Sequence, residues 1–159
     1  MSSSYRMSRN LEASIIEYLE TNLKADWRGV GIEKSFVKSY DVPLPVVCVR
    51  LGNTTHEWAE VGTTSTRRNA LILLDVFTTS DGQRLDLKDY IIEKIKVGCP
   101  YYEYVTSNNR ILSRTANGNI RVLSIEDKPL NFGSDKSELS AHDRFRHLIT
   151  LDVSIGKVE

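Results

Sequence analysis

The chain has 159 residues, 40% of them hydrophobic and 26% charged, and its 21 Lys+Arg balance its 21 Asp+Glu. A chain of this length buries roughly 70% of the surface its extended form exposes, so one domain can fold without a metal or a disulfide. No apolar run approaches the ~20 residues of a membrane span, and the neutral total removes the broad positive field that drives non-specific binding to phosphates.

Met1-Ser2-Ser3-Ser4 have no apolar core behind them, so no secretory signal is expected and residues 1–7 read as a flexible tail of a single domain, 1–159. Leu11, Ile15, Tyr18 with Leu19, and Leu23 then recur at steps of three and four, the stripe of an amphipathic helix. Ser8 or Asn10 is the expected N-cap, and Gly29 lets the chain reverse. Val30, Ile32, Phe36 and Val37, mixed with Glu33, Lys34 and Lys38, suit an edge strand. Pro43-Leu44-Pro45 interrupts pairing, and Val46 to Leu51 restarts as a central strand. Gly52-Asn53-Thr54-Thr55 predicts a turn, followed by an alternating strand from His56 to Val61 and a small polar loop from Gly62 to Thr66.

The strand from Asn69 to Thr78 contains Leu71-Ile72-Leu73-Leu74-Asp75-Val76, which returns late in the chain as Leu148-Ile149-Thr150-Leu151-Asp152-Val153. Each copy lies downstream of an arginine pair, Arg67-Arg68 and Arg144 with Arg146. At period two, Ile72, Leu74 and Val76 share a face, as do Ile149, Leu151, Val153 and Ile155; two paired strands with this face against helices are expected. On the opposite face Leu71, Leu73 and Phe77 flank Asp75, whereas Thr150, Asp152 and Ser154 are polar. Between the copies, Ser80-Asp81-Gly82 turns the chain, and Leu87, Ile91 and Ile95 form the second helical stripe, ending at Gly98. Tyr101 to Thr106 has strand-forming residues. Asn117-Gly118, between 110–115 and 119–126, is the strongest short hairpin signal. The polar stretch 127–143 reads as a long loop.

The order predicts an α+β fold: a mostly antiparallel sheet with two helices packed on one face, a protruding β-hairpin and a long loop. Leu71, Leu73, Phe77 and Trp58 then look outward from the other face, an apolar surface of the kind partners cover.

No enzyme is expected. His56, His142 and His147 are scattered without a second ligand at helical spacing, Gly29 and Gly31 make no phosphate loop, and no serine sits in a Gly-x-Ser-x-Gly elbow. Cys48 reads as a small buried hydrophobe and Cys99 as a loop residue, neither at zinc-ligand spacing. The one enzymatic alternative is a magnesium-dependent nuclease using Asp75. Neither Asp75-Val76-Phe77 nor Glu57-Trp58-Ala59 supplies the lysine that such a site needs beside its second carboxylate. No catalytic residue, cofactor or metal ligand is therefore predicted.

Pro45 to Leu51, the Glu60-Val61-Gly62 hairpin end, the Leu71–Phe77 strand, the Leu85–Ile95 helix and the terminal Arg146–Ile155 strand together resemble the tail terminator and tail-completion proteins of long-tailed bacteriophages. The insert from Tyr101 to Asp143 is longer than that pattern. The resemblance implies a structural virion protein, assembled in the host cytoplasm, that rings the end of the tail tube, commonly as a hexamer, and joins it to the head connector. A head-proximal neck or connector protein of the same fold is the alternative. Its partners would be copies of itself, the tail tube protein and head connector proteins, with DNA passing through the lumen unread. The interface expected on this reading comprises Trp58, Arg67, Arg68, Leu71, Leu73, Phe77, Arg144 and Arg146, with Asp135 and Glu138 of a neighbour meeting the arginines.

Overall fold

The computed structural model describes residues 6–58, 62, 66–108, 110–130 and 141–156. In chain order these form α1 (Met7–Asp26), β1 (Gly31–Glu33), α2 (Phe36–Ser39), β2 (Val46–Trp58), β3 (Thr66–Thr78), α3 (Asp81–Ile95), β4 (Cys99–Ser107), β5 (Arg110–Leu130), α4 (Ala141–Arg144) and β6 (Phe145–Gly156). The six strands make one strongly curled sheet, a half-barrel, in the order β1-β2-β3-β6-β5-β4. All neighbours are antiparallel except β1 and β2. The fold is α+β, as the order of elements predicts.

The two similar segments pair directly with each other: Ile72 lies opposite Leu151 and Leu74 opposite Ile149. These side chains, with Val47, Val49, Val76 and Val153, are buried against Leu11, Ile15, Leu19 and Leu23 of α1 and Leu87, Ile91 and Ile95 of α3. Each such aliphatic side chain contributes about 1.5–3 kcal/mol through burial, which makes this layer the main source of stability. Both helices therefore lie on one face.

Helix α3 starts where its sequence directs. The Ser80 hydroxyl accepts the Gln83 amide at 3.2 Å, and the Gln83 carbonyl reaches back to the Thr79 amide at 2.8 Å. Ser80 is thus a cap and Gly82 is helical. Helix α1 differs from expectation at its start: it begins after Arg6 without a side-chain cap, and Ser8 and Asn10 lie inside it. Asn10 and Ser14 turn toward the outer edge of β4. Ser14 Oγ accepts the Tyr102 amide at 3.0 Å, and Asn10 Oδ1 accepts the Tyr104 amide at 3.3 Å. On the other side of the same helix, Glu12 accepts a hydrogen bond from the backbone of Leu51 in β2. The curl of the sheet brings strands from both sides to one helix. Tyr18 and Tyr90 then tie α1 to α3 by donating to the Lys94 and Asn22 carbonyls at 2.6 and 2.8 Å.

Several local expectations are corrected. Gly52–Thr55 does not reverse the chain: β2 runs on to Trp58 through a bulge between Leu51 and Thr54, and Gly52 lets the Leu71 carbonyl approach to 3.3 Å of where a Cβ would stand. The hairpin end at 59–61 and Gly62 falls mostly outside the described residues. Asn117-Gly118 is likewise a bulge inside β5, with Gly118 at φ +88° and Asn117 donating to Glu103 at 3.1 Å; the reversal comes earlier, at Asn108. The edge strand after α1 stops at Glu33, because Ser35 caps a helical turn, accepting the Lys38 amide at 3.4 Å. Of the expected loop 127–143, residues up to Leu130 extend β5 and residues from Ala141 form α4. The last strand sits in the middle of the sheet, between β3 and β5. Cys99 opens β4 and is buried.

Gly98 joins α3 to β4 at φ +81°, and a Cβ there would stand 2.5 Å from the Ile120 carbonyl oxygen. Left-handed strain and a backbone clash act together. Gly98→Ala is expected to destabilise the fold by more than about 2 kcal/mol in urea unfolding, whereas Gly82→Ala, where a Cβ meets nothing within 4 Å, is expected to be neutral or slightly stabilising.

Candidate functional site

The helix-free face of the sheet is divided. At the end where β2 begins, Val46, Cys48 and Phe77 form a second small core under Phe36, Tyr40, Val42 and Leu44. Phe77 is therefore fully buried, contrary to its expected outward position, because the segment through α2 folds over it. His142 of α4 stands against both Tyr40 and Phe77.

Beside this core lies Asp75, a buried carboxylate that accepts from Arg50 Nε and Nη2 at 2.9 and 2.6 Å and from Arg146 Nη2 at 2.9 Å. Both guanidiniums stand 4.8 Å from the centre of the Phe36 ring. Asp143 completes the cluster, accepting from the Tyr40 hydroxyl at 2.7 Å and pairing with Arg146 at 3.5 Å. Burial, together with the neighbouring Asp143 carboxylate, pushes the Tyr40 phenol up to about 12. Arg146, expected at a subunit surface, is thus an internal counter-ion with 8% of its side chain exposed. Asp75, the one acid considered for a nuclease, is held by two cations that a metal ion would have to displace. Among the described residues, no group of three or more His, Cys, Asp or Glu is placed to hold a metal.

The remaining candidate residues fall at separate places. Because the two similar strands run antiparallel, Arg67 and Arg68 lie at one end of the sheet and Arg144 and Arg146 at the other, roughly 30 Å of strand apart. Arg67 is exposed opposite Glu57, and Arg68 is half-buried opposite His56. Leu71 and Leu73 are half-buried on the helix-free face, next to the polar Thr150 and Asp152 of β6. Arg144 is exposed at the end of α4, and Asp135 and Glu138 lie outside the described residues.

Two ribbons extend from one end of the sheet, the second being the β4–β5 pair and not the hairpin expected around Asn117-Gly118. Among the described residues, β6 reaches Gly156, opposite Asn119, and β5 from Arg110 to Ala116 is paired with β4. The same end carries the Trp58–Thr66 pair of β2 and β3. Half of the eight exposed large apolar side chains among the described residues lie on these two ribbons: Trp58 (69% exposed) on the first, on the helix-covered side and not on the opposite face where it was expected, and Val105 (52%), Ile111 (60%) and Leu112 (66%) on the second; Val37, Leu85, Val97 and Leu123 lie elsewhere. The second ribbon leans on α1 through the Tyr104 hydroxyl to Glu17, an Arg114–Glu17 ion pair and Arg6 to Thr106. A groove of about 570 Å³ runs between them, lined by Ala13 and Ile16 of α1 and Ile111 of β5 among charged neighbours.

Elsewhere the ionisable groups are locked in place. His147, buried under α3, accepts from Arg84 at Nδ1 (2.7 Å), so its proton sits on Nε2 and is donated to Asp127 at 2.8 Å. Burial lowers the His147 pKa, and its hydrogen bond lowers that of Asp127. Burial pushes the Cys99 thiol up to about 12 and raises that of Cys48, so neither is a thiolate near neutrality.

No family model and no curated protein matches the chain. Among solved structures, the chain is similar to one from the virion of a native gene transfer agent (GTA) particle, at 13% identity and a TM-score of 0.49, covering 98% of this chain and 100% of that one.

Two predictions follow from the buried charges. Asp75→Asn leaves two guanidiniums facing a neutral amide, and is expected to cost about 3 kcal/mol in urea unfolding; Asp152→Asn, half-buried on the wetted face, should cost less than about 1 kcal/mol. The folded state holds His147 neutral, so its contribution is complete above the ordinary histidine range near 6.5 and is lost as pH falls below it. The thermal midpoint should drop between pH 7 and 5, and His147→Gln should flatten that drop.

Proposed function

We propose that the protein is a structural subunit of a phage-like virion, forming a ring that completes the tail tube and joins it to the head connector. The observation that carries this reading is the unequal treatment of the two sheet faces. One face is covered by α1 and α3, and the other, along β3, β6 and β5, is left to Asn69, Leu71, Leu73, Thr150, Asp152, Ser154 and Arg121. A ring with the helices outward would line its lumen with this mostly polar, mixed-charge surface, over which nucleic acid passes without being held. The exposed Trp58, Val105, Ile111 and Leu112 on two ribbons at one end supply contacts to neighbours.

The self-association is of the head-to-tail kind, which closes into a ring when the rotation between subunits permits. In this arrangement Asp75 is a structural counter-ion and carries no chemistry.

Mass photometry across a concentration series, with negative-stain imaging of the largest species, tests the assignment. A closed ring growing in with concentration is expected. A monomer at every concentration, with and without tail tube protein, would overturn it.

A further inference from the structure

The geometry points to a proton-operated latch: when His147 takes up a proton, the start of α3 comes off the sheet while α1 and the strands stay in place. The Arg84–His147–Asp127 chain is its working part.

A guanidinium can only donate and an ionised carboxylate can only accept, so His147 fits between Arg84 and Asp127 in one neutral tautomer. Its Nδ1 accepts from Arg84 at 2.7 Å and its Nε2 donates to Asp127 at 2.8 Å. A second proton has to go on Nδ1. That N–H then faces the guanidinium, two donors and two positive charges at hydrogen-bond distance, with 3% of the His147 side chain exposed to water. The Nε2 side responds in the opposite sense, because an imidazolium and a carboxylate make a stronger, charge-assisted bond. The Arg84 contact is therefore the one that gives.

The groups around His147 favour that outcome. Helix α3 sets Arg84 and Lys88 against the cluster, β5 contributes Asp127, and β3 places the uncharged Val76 opposite His147. Lys88 already stands 3.4 Å from Asp127. Burial lowers the His147 pKa, Asp127 pulls it up, and Arg84 and Lys88 push it down again. Arg84 also has somewhere to go: the largely exposed Asp81 lies 3.4 Å from its Nε.

Helix α3 is anchored unevenly. Its buried side chains are Leu87, Ile91 and Ile95, and none precedes Leu87. Arg84 carries the first turn to β6, whereas the Ser80 and Gln83 cap bonds lie within the segment and hold it helical without holding it to the sheet. The closed latch keeps His147 neutral and the open one lets it titrate in water, so opening gains as pH falls below about 6.5. One proton taken up on opening sets a limit of about tenfold per pH unit.

Hydrogen exchange of the full chain between pH 7 and 5, corrected for the pH dependence of the chemical exchange rate, tests the latch beside nitrogen NMR of the imidazoles. Protection of the Arg84–Lys88 amides is expected to fall by more than about tenfold as His147 titrates, while α1 and β3 keep theirs. In Arg84→Met the first turn should be poorly protected already at pH 7 and indifferent to pH, and the His147 titration should move up. Unchanged protection of α3 through the His147 titration would overturn the inference, as would loss of α1 and β3 protection in step with it or a neutral His147 protonated on Nδ1. If Arg84→Met does not fold, the exchange profile of the parent decides alone.

Discussion

Everything in this fold follows from how α1 satisfies the strands on either side of it. A curled six-stranded sheet exposes backbone donors at both margins, and here the margins converge on one helix that presents Asn10 and Ser14 to β4 and Glu12 to β2. Each buried amide left without such a partner would cost about 1–3 kcal/mol, so these three polar side chains are as necessary as the Leu11-Ile15-Leu19-Leu23 stripe beside them. The stripe fixes which side of the helix faces the sheet. The polar residues fix how far the sheet curls, because its edges must arrive within hydrogen-bonding distance. The helix-free face and the ribbons are then the surfaces left over.

The second constraint sits on the other face. Asp75 interrupts an apolar strand, and the fold accommodates it by bringing Arg50 along β2 and Arg146 along β6 to the same carboxylate. Phe36 lies against both guanidiniums, which recruits the α2 segment, and Asp143 draws in α4. A single acid thereby organises four elements at one end of the sheet. Among the described residues the opposite end shows no comparable clasp, and Trp58, Ile111 and Leu112 are exposed there.

Much of this was readable in the chain because it is periodic. Two helical stripes and a repeated apolar strand are local patterns, and they place both helices on one face. The misreadings share a cause: Gly52 and Asn117-Gly118 carry the same backbone preference whether they make a turn or a bulge, and the choice depends on a partner strand far away in sequence. Phe36 and Val37 read as strand because the Ser35 cap is a weaker local signal than two apolar residues. Alternation points Phe77 outward and the virion resemblance puts Arg146 at a subunit surface, and both are blind to a short segment folding over these residues. The edge caps did leave a trace. Asn10 and Ser14 follow a four-residue step beside Leu11 and Ile15, polar residues on the flank of a core stripe. Nothing local marks Arg84, Asp127 and His147 as one cluster, since they meet only through tertiary packing.

The central place of β6 has a consequence for biogenesis. Residues 145–156 leave the ribosome after the other five described strands, yet they are the ones that join β3 to β5. Until they emerge, the β1–β2–β3 unit and the β4–β5 ribbon both touch α1 but are not paired strand to strand, and their inner margins await the same insertion. The sheet is thus completed only once translation has passed Gly156, and the long-range pairings that complete it are of the kind that form slowly. Premature termination after Leu130 and before Phe145 leaves two open seams in place of a shortened version of the same molecule.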